Sequence, residues 1–378
     1  MVRSLAWVAL LFVCAGCSLL ASRSKYFGGD EGGGGNGVGG AGAGGAAAGG
    51  GTGGGGAAQP AAHVYVFGGT RNPSEGGYPQ PTADVWRGTV DHEGKLGQWE
   101  NATPLPAGHD GVGAGVWLPT GLLVLSPRRI QSLGFTGVQE HTVLFPPGAA
   151  RIVEPFTRPT ASTDFAAALT ATQAIFADTW GDSTEVASCA LDAESGAVMT
   201  TGCSFTDRLS QDPGQLVVAR SQLFMIGTMV ERAPITATGL GSFSPEEVST
   251  SGGAVIDRPT SGFATCASDD WLFIVGGGLP TSDLVLQADL QPLDTTNQVQ
   301  WSTGKAPGGL ASSTCFVLGD HLFILGGTVD GPTPGAYVSS AVTFRAAIGN
   351  GTLGDWEEMA LLPEARTNAT TVVVPVGL

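Results

Sequence analysis

The groups in this sequence best equipped for covalent, redox or metal chemistry are its six cysteines and five histidines, and their spacing decides between those roles. Cys189 and Cys203 lie symmetrically about Ser195-Gly196. A hairpin turning there would set the two thiols directly opposite each other, so a disulfide is expected. Neither this pair nor Cys266 and Cys315 has a His or Cys at ligand spacing beside it, which argues against a zinc site. The histidines (His63, His92, His109, His141 and His321) are scattered, and His63 and His321 each precede a similar apolar run, as repeat positions do. Carboxylates such as Glu246, Glu247, Asp269, Asp270, Glu357 and Glu358 could meet as acid and base, but no local motif singles out a pair. The expectation is no catalytic residue, no metal and no cofactor.

Whatever positions these groups must be built from a chain with few charges. Charged residues make up 13% of it and the net charge is -16, which repels a phosphate backbone and excludes nucleic acid as a partner. At the start, Arg3 precedes an apolar stretch from Leu5 to Val13, followed by Ala15 and Gly16 ahead of Cys17. That stretch is an export signal too short to span a bilayer. Val13-Cys14-Ala15-Gly16-Cys17 resembles the bacterial lipoprotein signal, although Cys14 stands where that family usually places Leu. The resemblance implies a signal peptide over residues 1–16 and lipid attachment at Cys17. With Ser18 next in place of Asp, it further implies sorting to the outer membrane, facing the periplasm or the cell surface. From Gly28 to Ala57 nearly every residue is Gly or Ala, leaving no apolar surface to offset the entropy of ordering. Residues 17–62 are therefore read as a lipidated N-terminus and a disordered tether, with a reach of about 30 Å over its Gly-rich part.

Beyond residue 60 a pattern repeats: a short β-branched and aromatic run, two small residues, then a turn-rich loop. It is clearest in His63-Val64-Tyr65-Val66-Phe67-Gly68-Gly69, in Trp271-Leu272-Phe273-Ile274-Val275-Gly276-Gly277 and in His321-Leu322-Phe323-Ile324-Leu325-Gly326-Gly327. Weaker copies end at Ser126, Asp178 and Gly227, giving a period near fifty residues. A third strand follows five of the six copies, and in three units a fourth begins near Trp99, Trp301 or Trp356. Prolines (Pro106, Pro159, Pro259, Pro307, Pro363) then mark the exit from the fourth strand. On these residues the segment 63–378 resembles a kelch-type β-propeller. The resemblance implies an all-β, six-bladed ring in which the C-terminal strand, Ala369 to Val376, completes blade one. Cys266 and Cys315 then occupy matching first strands of adjacent blades, at a separation expected to exceed the roughly 7 Å limit for bridging, and are read as buried free thiols.

Long loops between second and third strands are where a rigid ring places recognition. Arg71, Asn72 and Tyr78 on one, Asp330 and Tyr337 on its neighbour, and Arg128 and Arg129 on a third form the candidate binding surface. The leading expectation is a membrane-tethered envelope module that binds a protein or glycan without catalysis. The alternative is a carbohydrate-active enzyme, mutarotase-like or other, with an axial pocket. The two differ in shape: a binding face is broad and loop-built, whereas an enzyme gathers convergent polar side chains in one axial pocket.

Overall fold

The computed structural model describes residues 60–71, 80–105, 114–118, 121–132, 135–145, 151–156, 165–178, 185–192, 194–208, 214–249, 255–257, 261–278, 280–333, 335–349 and 352–376, with the backbone alone over the described part of 116–156 and at 60, 200, 295, 296 and 375. The signal segment, Cys17 and the glycine-rich stretch lie outside these residues, as do Asn72 and Tyr78.

In chain order, the strands begin with β1 (Pro60–Phe67), β2 (Thr70–Arg71), β3 (Gln80–Pro81), β4 (Val85–Asp91) and β5 (Glu100–Asn101). They continue with β6 (Ala114–Leu118), β7 (Gly121–Ser132), β8 (Phe135–Phe145) and β9 (Arg151–Phe156), then β10 (Phe165–Leu169), β11 (Gln173–Asp178), β12 (Glu185–Leu191) and β13 (Val198–Asp207). Next come β14 (Gln215–Ala219), β15 (Gln222–Ile226), β16 (Val230–Thr236), β17 (Gly239–Leu240) and β18 (Ser244–Glu246). They are followed by β19 (Ala264–Ala267), β20 (Trp271–Val275), β21 (Ser282–Asp289), one helical turn α1 (Leu293–Thr296) and β22 (Gln300–Leu310). The last are β23 (Thr314–Leu318), β24 (His321–Leu325), β25 (Thr328–Asp330), β26 (Tyr337–Ser339), β27 (Thr343–Gly349), β28 (Thr352–Glu358) and β29 (Thr370–Pro375).

The protein is all-β, and its antiparallel sheets form a propeller-like arrangement. Five blades are described down to their side chains: β29-β1-β4-β5, β10 to β13, β14 to β17 with β18 on β16, β19 to β22, and β23-β24-β27-β28. A further sheet, β6-β7-β8-β9, is described by its backbone, and β6 lies beside both β29 and β10. Each sheet runs from an innermost strand (β29, β10, β14, β19 or β23) outward. The innermost strands neighbour one another, β10 with β14, β14 with β19, β19 with β23 and β23 with β29. The closing blade joins distant chain: β29 pairs β1 from Ala62↔Pro375 to Phe67↔Thr370.

No single core holds this arrangement, because each sheet buries both faces against its neighbours. One cluster joins Val64, Val66 and Trp86 to Phe316, Phe323 and Leu325 of the adjacent blade. Others join the β19–β22 blade to the blades on either side of it. The second strands bring Phe224, Phe273 and Phe323 to zero exposure at the same station of successive blades, each packed toward the next blade, which is why the apolar run repeats in the sequence. The paired glycines after that run face two different connections. A Cβ on Gly326 would fall 2.6 Å from the Arg366 carbonyl oxygen, on the segment leaving its blade. One on Gly327 would fall 2.9 Å from that of Ala311, on the segment arriving. Both residues have φ above +50°, so backbone conformation and close approach both demand glycine. The repeated Trp ties a blade to its predecessor: Trp99 Nε1 donates to the Ala360 carbonyl at 3.2 Å and Trp356 Nε1 to that of Lys305 at 2.6 Å.

Three details depart from the sequence reading. Pro307 lies inside β22, at the irregularity between Ser282↔Leu310 and Leu284↔Lys305, where the ladder asks no N–H of it. Arg128 and Arg129 are not on a loop: β7 and β8 form one long ladder in which they oppose Gln139 and Val138. Asp330 and Tyr337 are likewise not on an open loop: they oppose each other in the short β25–β26 ladder.

Two histidines repeat with their surroundings. His63 and His321 sit on second strands near Arg87 and Arg345, which pair with Glu100 and Glu357 on the outer strands. Burial, reinforced by the nearby guanidinium, lowers both imidazoles from the ordinary value of 6.5. The unfolded chain then binds more protons than the folded one as pH falls through 6.5, so these groups subtract stability toward acid. The melting temperature is expected to drop between pH 7.5 and 5.5, and a His63→Gln, His321→Gln double variant should drop less. Equal slopes in calorimetry would show that other groups control this window.

Candidate functional site

At the axis, the innermost strands β10, β14, β19, β23 and β29 and the turns leading into them surround a cavity of about 400 Å³. Each turn into the last four strands contains a residue in the left-handed region: Gly214, Gly262, Ser312 and Asn368, with φ of 54°, 65°, 52° and 53°. This shared conformation bends the chain onto the axis at the same height in successive blades. Backbone hydrogen bonds then link the turns in sequence, from Ser312 N to the Gly262 carbonyl (2.5 Å) and from Asn368 N to that of Ser312 (2.8 Å).

Side chains on the cavity wall pair across the blade boundaries. Gln215 of β14 donates through Nε2 to the Phe263 carbonyl at 2.5 Å, and its Oε1 accepts from Thr265 Oγ1 of β19 at 2.8 Å. Thr314 Oγ1 of β23 and Thr371 Oγ1 of β29 share a hydrogen bond of 2.8 Å. Between these two pairs, Cys266 of β19 is bonded to Cys315 of β23, with Cα atoms 5.6 Å apart. The expectation of free thiols here is corrected. Innermost strands converge at the axis more closely than blade spacing suggests, and 5.6 Å is an ordinary bridging distance. Leu216, Phe263 and Ala264 add apolar surface to the hydroxyls and amides.

The other candidate residues fall elsewhere. Cys189 and Cys203 are joined across the β12–β13 hairpin with Cα atoms 4.3 Å apart. Beyond Ser188↔Ser204 the register shifts to Ala190↔Met199, so the turn is less symmetric than the spacing about Ser195-Gly196 implied. Arg71 lies on the exposed β2–β3 ladder and pairs with Glu364 at 3.3 Å. Asp330 accepts from Thr281 Oγ1 at 2.9 Å. Both short ladders are pinned beside the cavity rim, through Thr70↔Thr367 next to Asn368 and through Thr328↔Ala311 next to Ser312. The cavity residues Gln215, Thr265, Thr314 and Thr371 were not among the sequence candidates. The available signal was a polar residue at or just after each innermost-strand start, following a turn-forming Gly, Ser or Asn.

No protein-family model and no curated protein matches the chain. Among solved structures, the one titled Structure of YjhT is similar at 10% identity and a TM-score of 0.38, covering 80% of this chain and 86% of that one. A fungal alcohol oxidase of the AA5 family, in complex with copper, is similar at 12% identity and a TM-score of 0.44, covering 81% of this chain and 66% of that one. The expectation of a non-catalytic, loop-built binding module is corrected: the described polar groups converge in one axial cavity, the arrangement expected of the alternative reading, and the candidate loop residues do not gather into a face. The described cavity residues do not fit copper. They include no tyrosine or histidine, and Cys315 is held in a disulfide.

Proposed function

We propose that the chain is a carbohydrate-active enzyme, mutarotase-like or related, with its substrate site in the axial cavity of a closed six-bladed, kelch-type ring. The observation that carries this reading is the wall of paired hydroxyls and amide around an open-mouthed cavity of about 400 Å³. A sugar presents both donors and acceptors around its edge. Ser and Thr hydroxyls and the Gln amide can serve either role, whereas Leu216 and Phe263 suit the apolar C–H faces of a pyranose. The volume lies in the range of small-molecule sites, roughly 300–1,000 Å³. The sixth blade in this proposal is the β6–β9 sheet, a reading supported by the position of β6 between β29 and β10. Anchoring through a lipid on Cys17, in the outer membrane, belongs to the same proposal and is supported by the Val13 to Cys17 segment and the Gly-rich stretch after it.

The test uses the purified protein and a panel of monosaccharides, with binding followed by calorimetry and anomer exchange by NMR. At least one sugar is expected to bind and to exchange anomers faster than in buffer. Gln215→Leu removes the amide that organises the wall and should weaken that binding about tenfold, the worth of one hydrogen bond at a buried site. If no sugar binds, or if Gln215→Leu binds as the wild type does, the axial site is not where this protein works.

A further inference from the structure

The Cys266–Cys315 disulfide occupies an unusual place for a structural cross-link. It joins innermost strands of two blades, between the Gln215–Thr265 and Thr314–Thr371 pairs, so the wall is tied by a hydrogen bond, a covalent bond and a hydrogen bond in succession. Its two sulfurs are not equivalent. Both pack into the cluster between the blades with Ala264, Phe273 and Leu322, but of the two only Cys315 also lines the cavity. Both residues are buried, at 7% and 6% exposure, and the cavity that Cys315 lines is the space from which a small molecule would reach the bond.

We infer that this disulfide is a redox switch in the cavity wall, opened by small thiols that enter the cavity and closed to protein-sized reductants. In the reaction, one thiolate of a small dithiol attacks Cys315 Sγ; the sulfur–sulfur bond breaks and Cys266 leaves as a thiolate that takes a proton. The reagent's second thiolate then attacks its own sulfur in the mixed disulfide. Cys315 is released as a thiol and the reagent departs as a cyclic disulfide, having given two electrons to the protein. Reduction unties β19 from β23 without parting the blades. They stay joined by the cluster of Val275, Leu310, Leu322 and Ile324, and by the Trp356 to Lys305 and Thr281 to Asp330 hydrogen bonds. The consequence is a looser cavity wall in a ring that remains folded. This holds whether or not the cavity takes a sugar.

The experiment exposes the folded protein to dithiothreitol or to a thioredoxin-type protein, alkylates new thiols and maps them by mass spectrometry, with hydrogen exchange measured in parallel. Dithiothreitol is expected to label Cys266 and Cys315 without denaturant, and the protein reductant to leave them unlabelled. Exchange should rise in peptides covering 261–267 and 312–317 while those covering the second strands stay protected. Thr371→Trp, which fills the cavity, should slow labelling of these two cysteines at least tenfold. No labelling by dithiothreitol, equal labelling by both reductants, or exchange rising evenly through all blades would each overturn the inference. Should Thr371→Trp fail to fold, the comparison of reductants in the wild type decides alone.

Discussion

Removing residues 369–378 is expected to abolish cooperative unfolding altogether. The deletion takes out β29, the innermost strand of the closing blade, and strips β1 of its partner from Ala62 to Phe67. Val372 and Val374, both below 10% exposure, leave the cluster they share with Phe67, Val85 and Leu105. At about 1.5–3 kcal/mol for each buried valine and about 1 kcal/mol for each ladder hydrogen bond, the loss is comparable to the whole stability of a domain, typically 5–15 kcal/mol. A central strand would also become a raw edge beside the axis, a template for intermolecular pairing. Thermal denaturation with light scattering checks this: a truncated protein melting as a soluble monomer near the wild-type temperature would mean that the ring does not depend on its closing strand.

The second large effect is expected at Arg366, which is 1% exposed and sits at the same seam. Its guanidinium lies 4.0 Å over the Trp86 ring, donates to the Gly68 carbonyl at 3.0 Å and reaches Asp84 and Glu364, each at 3.1 Å. Burial lowers its pKa, which its two carboxylates oppose, and an arginine so placed remains charged. Arg366→Ala leaves the Gly68 carbonyl without that donor, empties the face of Trp86 and breaks a charge network with a desolvated member. A cost of about 3–5 kcal/mol is expected, or roughly 10 °C in melting temperature. Arg366→Met keeps the stem and should recover part of the loss. The same network acts on acid stability. The Thr82 hydroxyl, then Arg366, holds the Asp84 carboxyl below its ordinary 3.8. That contribution is full above 3.8 and disappears as pH falls through the lower folded value. A variant that unfolds in acid as the wild type does would remove Arg366 from this account.

The blades were legible in the sequence because each repeats the same burial problem. A strand buried on both faces reads as a continuous apolar run, and glycines squeezed between two connections cannot be anything else. Gly326-Gly327 and Phe323 therefore stand out to the eye. The cavity did not stand out, because its residues are ordinary: Thr265, Thr314 and Thr371 are unremarkable in a strand, and only their convergence at the axis gives them a role. Arg366 was missed for a related reason, since its partners Trp86 and Asp84 lie almost three hundred residues away in sequence. The pairing of Cys266 with Cys315 depended on a distance between strands that repeat spacing alone does not supply.

Closing the ring with β29 also has a temporal side. The partners at the seam, Thr70 and Thr367, are 297 residues apart, so nearly the whole chain must be present before the seam can form. Blades such as β19 to β22 close locally and can fold as they emerge, but the closing blade waits, with β1 holding an open edge in the meantime. Contacts this distant in sequence come late and slowly, and that interval is when the chain is most exposed to pairing with another copy of itself.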